Sequence, residues 1–126
     1  KHLLCGAEGT LGIITAARLR LVPAIAARIT GWFGVASPES ALALLRRLDS
    51  ALGPELEGFE IIQQSCVDAV IAHIPGTRAP LPGHRGWHAL VELAANSADR
   101  ADALIDLAAA AQRDGLVTDM ALAKSD

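Results

Sequence analysis

From residue 27 onward the chain switches repeatedly between two hydrophobic periods, and this switching constrains its fold more than any other feature. In ARITGWFGV, Ala27–Val35, residues Ile29, Phe33 and Val35 share one phase while Arg28, Thr30 and Trp32 share the other. A period of two is the pattern of a half-buried strand. SPESALALLRRLDSALG follows, in which Ala41, Leu44, Leu45, Leu48 and Leu52 recur at helical spacing. Ser37 is a natural N-cap and Pro38 suits the first helical position, while Gly53 and Pro54 supply the stop.

The same logic continues to the C-terminus. LEGFEIIQQ, residues 56–64, reads as a second strand with Phe59 and Ile61 on one face. Ser65 is placed to cap a short helix with Asp68 in a capping-box relation, and Val67, Val70, Ile71 and Ile74 form its apolar stripe. Residues 75–86, PGTRAPLPGHRG, carry three prolines and three glycines and predict an irregular surface loop. WHALVELA, residues 87–94, sets Trp87, Ala89, Val91 and Leu93 in phase as a third strand. Asn96 or Ser97 caps a helix reaching about Arg113, with Ala101, Leu104, Ile105 and Ala108 inward and Gly115 ending it. LVTDMALAK, residues 116–124, is the fourth strand.

The order β-α-β-(α)-β-α-β predicts an α+β, ferredoxin-like fold with one extra helix. A four-stranded antiparallel sheet would carry the two long helices on one face. Arg28, Thr30, Trp32, Glu60, Ile62, His88, Leu90 and Glu92 then fall on the other, left free for a packing partner.

Composition narrows the function classes. Alanine and leucine carry the packing, because hydrophobic residues make up 52% of the 126 residues but aromatics only 3%. A net charge of −3 without a basic block gives no nucleic-acid footprint. An RNA-recognition reading of the topology fails with it, since strand aromatics and a basic surface are missing. No apolar run approaches the roughly 18 residues of a membrane span, and no secretory leader pattern is present. Cys5 and Cys66 make no CxxC pair and read as reduced, partly buried thiols in a cytoplasmic protein. A chain that opens on Lys1 rather than Met is expected to be a fragment or a processed product.

Before the alternating region stands GAEGTLGIIT. Its glycines recur every third residue, at Gly6, Gly9 and Gly12, ahead of the strand-like Ile13, Ile14 and Thr15. Glycine loops expose backbone N–H groups and can cradle anionic oxygens. The spacing is neither the dinucleotide fingerprint nor the P-loop pattern, so by itself it also suits a tight turn between strands.

Residues 1–23, KHLLCGAEGTLGIITAARLRLVP, resemble a signature of the FAD-linked oxidases and dehydrogenases of the vanillyl-alcohol-oxidase type, in the branch that includes the glycolate oxidase flavin subunit and the D-2-hydroxyacid dehydrogenases. The pattern Gly-(Ser/Ala)-Glu-Gly-Thr-Leu-Gly-(Ile/Val)-(Ile/Val)-Thr is matched throughout, with Ala7 as the permitted alternative. The resemblance implies that Gly6, Ala7, Glu8, Gly9, Thr10, Leu11, Gly12, Ile13 and Ile14 touch FAD, largely through backbone atoms. It implies that residues 1–23 close an FAD-binding domain and that residues 24–126 begin a C-terminal substrate domain, with the boundary at residues 23–26. The full enzyme would oxidise a small D-2-hydroxy acid such as glycolate or D-lactate, and the chain alone would be inactive and would not hold FAD.

The remaining chemistry-bearing residues give weaker signals. His84 and His88 lie four apart in HRGWH, but Gly86 and the proline-rich loop argue against helical geometry, so neither reads as a metal ligand. His88, on the free sheet face, would border the substrate cavity that the resemblance implies, but it matches no catalytic position of the family. Glu60 and Glu92 are candidate cross-strand neighbours. Asp99, Arg100, Asp102 and Asp106 decorate a helix surface, and the pairs Arg46–Arg47 and Arg78/Arg85 stand isolated. By the resemblance, the family's active-site histidines, metal site and carboxylate-binding arginine belong to downstream motifs, so no catalytic or metal-binding residue is assigned here.

The competing reading is a stand-alone ferredoxin-like module that binds a small ligand or a protein and catalyses nothing. The glycine segment argues against it. A further expectation concerns residues 1–22, whose Leu3, Leu4, Ile13, Ile14, Leu19 and Leu21 would lack partners. Such a segment is expected to be disordered or to pack on a second copy of the chain.

Overall fold

The computed structural model describes residues 2–22, 24–95 and 97–125, with the side chains of residues 98–101, 124 and 125 left out of the description. The proposed boundary residue Pro23, the alternative cap Asn96 and the side chain of Ala101 thus lie outside it.

Four strands form one antiparallel sheet: β1 (Ala27–Val35), β2 (Leu56–Gln63), β3 (Trp87–Ala95) and β4 (Asp119–Ser125). Their spatial order, β2-β3-β1-β4, is the ferredoxin-like one. The central pair is in unbroken register from Ala27 opposite Ala95 to Val35 opposite Trp87. Beside it, β2 slips at Leu56 and Gly58, where the ladder has a bulge.

The period-two reading fixes which face is dry. Ile29, Phe33 and Val35 of β1 and Ala89, Val91, Leu93 and Ala95 of β3 are all buried in one cluster. Two long helices cover that face, α1 (Pro38–Leu52) and α3 (Ala98–Arg113). α1 starts as its sequence predicts, with Ser37 Oγ accepting from the Ser40 amide at 3.3 Å. It buries Ala41, Leu44, Leu48 and Leu52, and α3 adds Leu104, Ala108 and Ala111. Ile105, expected inward, is exposed; the inward stripe of α3 continues through Ala111 instead. Arg47 on α1 reaches Asp114, just past α3, at 2.6 Å, so this arginine is not isolated. Gly115 takes φ +73° and its amide donates to Gln112 O at 3.0 Å, closing α3 as a glycine cap does.

The opposite face departs from its sequence reading. A short helix, α2 (Gln64–His73), begins one residue before Ser65, and no side chain caps it. The Ser65–Asp68 box does not form, because Gln64 Nε2 donates to Asp68 Oδ1 at 2.8 Å. Val67 is buried, whereas Val70, Ile71 and Ile74 are exposed. The loop after α2 does not simply skirt the surface: Leu81 is buried and His84 half-buried. Together α2 and this loop shelter one end of the face that the helical stripes alone left free. At the other end of β3, Glu92 stands opposite Gly58 and Glu60 opposite Leu90, so the two glutamates are diagonal rather than paired.

Residues 2–22 contain no strand. The extended reading of residues 13–22 therefore finds no ladder: a β-branched run becomes a strand only when an edge receives its backbone hydrogen bonds. Ile13 and Leu21 are each 90% exposed.

Candidate functional site

Two places bear chemistry. The first is the glycine loop. Gly6, Gly9 and Gly12 have φ of +78°, +80° and +152°, and Glu8 also has positive φ, at +47°. Thr10 closes the turn, its amide 2.9 Å and its hydroxyl 2.7 Å from Ala7 O. A Cβ at any of these three glycines would meet nothing within 4 Å. Within the chain the glycines are therefore required by backbone conformation and not by packing. The amides of Gly9, Gly12 and Ile13 donate to no group among the described residues. Open positive-φ glycines beside free donors fit a large ligand approaching through its oxygens. Leu4, Leu11, Gly12, Ile13, Ile14, Thr15 and Ala16 line a hollow of about 390 Å³ there.

The second place is the sheltered end of the sheet. Register brings Trp32 opposite Leu90, and Gly34 and Ile62 opposite His88. The Trp32 indole N–H donates to Nδ1 of His88 at 2.8 Å. Nε2 of His88 then donates to Gln64 Oε1 at 2.7 Å. The chain of bonds ends at Asp68, which Gln64 reaches from α2. His88 is 1% exposed and neutral, protonated on Nε2. Burial holds its pKa below the usual histidine value, and neighbouring His84 adds to the lowering while Asp68 opposes it. His84 packs edge-on to His88 with ring centroids 4.7 Å apart, and its Nε2 donates to Trp87 O at 2.9 Å. His84, part of the segment expected to be an irregular surface loop, is therefore seated against the sheet, and the absence of a side chain at Gly34 makes room for it. Among the described residues no group of three histidines, cysteines or carboxylates converges on a metal site.

Beside this network runs a groove of about 310 Å³ lined chiefly by Trp32, Ile62, Val67, Val70, Ile71 and Arg78. Cys66 also lines it, and both Cys66 and Cys5 are free and exposed, not partly buried.

Residues 25–126 match the family described as "FAD linked oxidases, C-terminal domain". The chain belongs to this family. An FAD-linked oxidase domain is thus what the ferredoxin-like sheet represents. Among curated proteins, the chain is 29% identical over 92 residues to a mitochondrial D-2-hydroxyglutarate dehydrogenase of Arabidopsis thaliana, covering 73% of this chain and 16% of that protein. It is 27% identical over 126 residues to a D-2-hydroxyglutarate dehydrogenase of Xanthomonas citri pv. viticola, covering 100% and 26%. It is 25% identical over 92 residues to a D-2-hydroxyglutarate–pyruvate transhydrogenase of Saccharomyces cerevisiae, covering 73% and 18%. The chain spans a quarter or less of the length of most of these relatives.

In this FAD-linked oxidase chain the residues singled out from sequence, 6–14, gather in one exposed turn. The Trp32–His88–Gln64–Asp68 network was not legible as a unit. Its one sequence signal was phase, since Trp32, Ile62 and His88 all fall opposite the core. Among the described residues no helix is long and apolar enough to cross a membrane.

Proposed function

We propose that this chain is the junction of an FAD-dependent D-2-hydroxyacid dehydrogenase or oxidase. Residues 1–23 close its FAD-binding domain and residues 24–126 open its substrate domain. The observation that carries this reading is the position of the glycine loop, immediately upstream of the family match that begins at residue 25.

On this reading, residues 6–14 hold the cofactor by backbone N–H groups, and the positive φ at Gly6, Gly9 and Gly12 keeps side chains out of its way. Held there, a flavin would supply the acceptor for the hydride of the substrate's hydroxyl-bearing carbon, with the hydroxyl proton passing to an active-site base. The sheet of residues 24–126 orients that substrate and excludes water. Substrates are small D-2-hydroxy acids, with glycolate, D-lactate and D-2-hydroxyglutarate as the test set. We assign the enzyme to the cytoplasm, a reading supported by its two free thiols.

The test uses the full-length protein. It should purify with flavin absorbance at about 450 nm and reduce a dye acceptor with at least one of the three acids. Gly9→Val and Gly12→Val should release the flavin while leaving the substrate domain folded. A full-length protein that binds no FAD, or flavin retained by both variants, would overturn the assignment.

A further inference from the structure

The groove beside Trp32 has the makings of a second, separate binding site. Its floor is Trp32 and Ile62, one wall is Val67, Val70 and Ile71 of α2, and Thr77, Arg78 and Pro80 close the other side. At about 310 Å³ it lies at the small end of ligand sites, which run from roughly 300 to 1,000 Å³. The floor is preorganised, because the indole N–H of Trp32 is already committed to His88. A fixed aromatic surface loses little conformational freedom when a ligand covers it.

The polar inventory narrows the ligand. Thr77 spends its hydroxyl proton on Ile74 O at 2.7 Å. Cys66 offers a weak thiol donor. Arg78 forms no ion pair among the described residues, and no carboxylate lines the groove with it. An apolar trough with one unmatched guanidinium suits an apolar tail ending in a carboxylate, which arginine can hold by two parallel hydrogen bonds.

We propose that this groove binds a small apolar monocarboxylate, with the hydrocarbon tail on Trp32, Ile62 and Ile71 and the carboxylate on Arg78. The site uses only this chain's side chains, and its test needs no flavin.

Octanoate titrated into the 126-residue chain by calorimetry tests it. Binding should saturate below roughly 10 mM, and Arg78→Ala should weaken it at least about tenfold. Arg78→Lys should retain part of the affinity, because it keeps the charge and loses the fork. Val70→Asp, at an exposed position on the wall, should abolish binding without unfolding the chain. 1-Octanol should bind more weakly than octanoate. No saturation, an Arg78→Ala variant that binds octanoate as the parent does, or octanol binding equal to octanoate would each overturn the proposal.

Discussion

Trp32 and His88, 56 residues apart in sequence, share a hydrogen bond of 2.8 Å from indole N–H to imidazole Nδ1. With Nε2 donating to Gln64, both ring nitrogens are used and only the neutral imidazole satisfies them. A proton added at Nδ1 would set two donors face to face.

That arrangement makes stability depend on pH. The folded pKa of His88 is lowered, by burial first and by His84 second. Below pH 6.5, the ordinary value of the group, the unfolded chain binds a proton that the folded chain resists. Stability from this residue is therefore complete above pH 6.5 and is lost progressively as pH falls toward the folded pKa. Urea unfolding followed across this window should show declining stability, and His88→Gln should flatten the slope, by at most one proton. An unchanged slope in the variant would assign the pH dependence to other groups.

Gly34 should resist substitution. A Cβ there would lie 2.9 Å from two ring atoms of His84 and 2.9 Å from Thr118 Oγ1. Gly34→Ala is expected to lower stability by about 1–3 kcal/mol, as overpacking does. The double variant Gly34→Ala/His84→Ala should show a smaller loss than the two single losses summed, because they share one contact. Strict additivity in thermal or urea melts would refute the contact.

The two neighbours Leu104 and Ile105 should behave differently. Leu104 is fully buried and Ile105 is 44% exposed. Leu104→Ala should cost about 2–5 kcal/mol, and Ile105→Ala about 0.5 kcal/mol or less. Equal losses in urea unfolding would show that α3 is rotated from the arrangement described.

Removing residues 1–22 should leave the remaining domain folded, because among the described residues the buried cluster draws on none before Ala27. Leu3, Ile13, Leu19, Leu21 and Val22 are exposed, and association through them should disappear with the deletion. Sedimentation velocity on both chains checks this. An unfolded deletion variant would place the segment within the core, and an unchanged oligomer would move the interface elsewhere.

How much was legible differs from element to element. α1 could be read whole, since Ser37, Pro38, its apolar stripe and Gly53 are all local signals. α2 could not. Its stripe of Val70, Ile71 and Ile74 has helical period, but the period says only that the residues share a face, not that anything covers it. They are exposed, and two of them wall the groove. Residues 13–22 had strand-like composition and form no strand, because a ladder requires a partner edge that composition does not supply.

By itself the sequence determined the two alternating periods, hence the β-α-β-α-β-α-β order and the dry face of β1 and β3. It also determined the glycine loop, because positive φ is a property of the residue and its neighbours. Only the tertiary structure decided that Trp32, His88, Gln64 and Asp68 form one chain of hydrogen bonds and that Gly34 leaves room for His84. Those contacts join four segments of the chain. Strand register and the folding back of the 74–86 loop bring them together, and no local pattern encodes either.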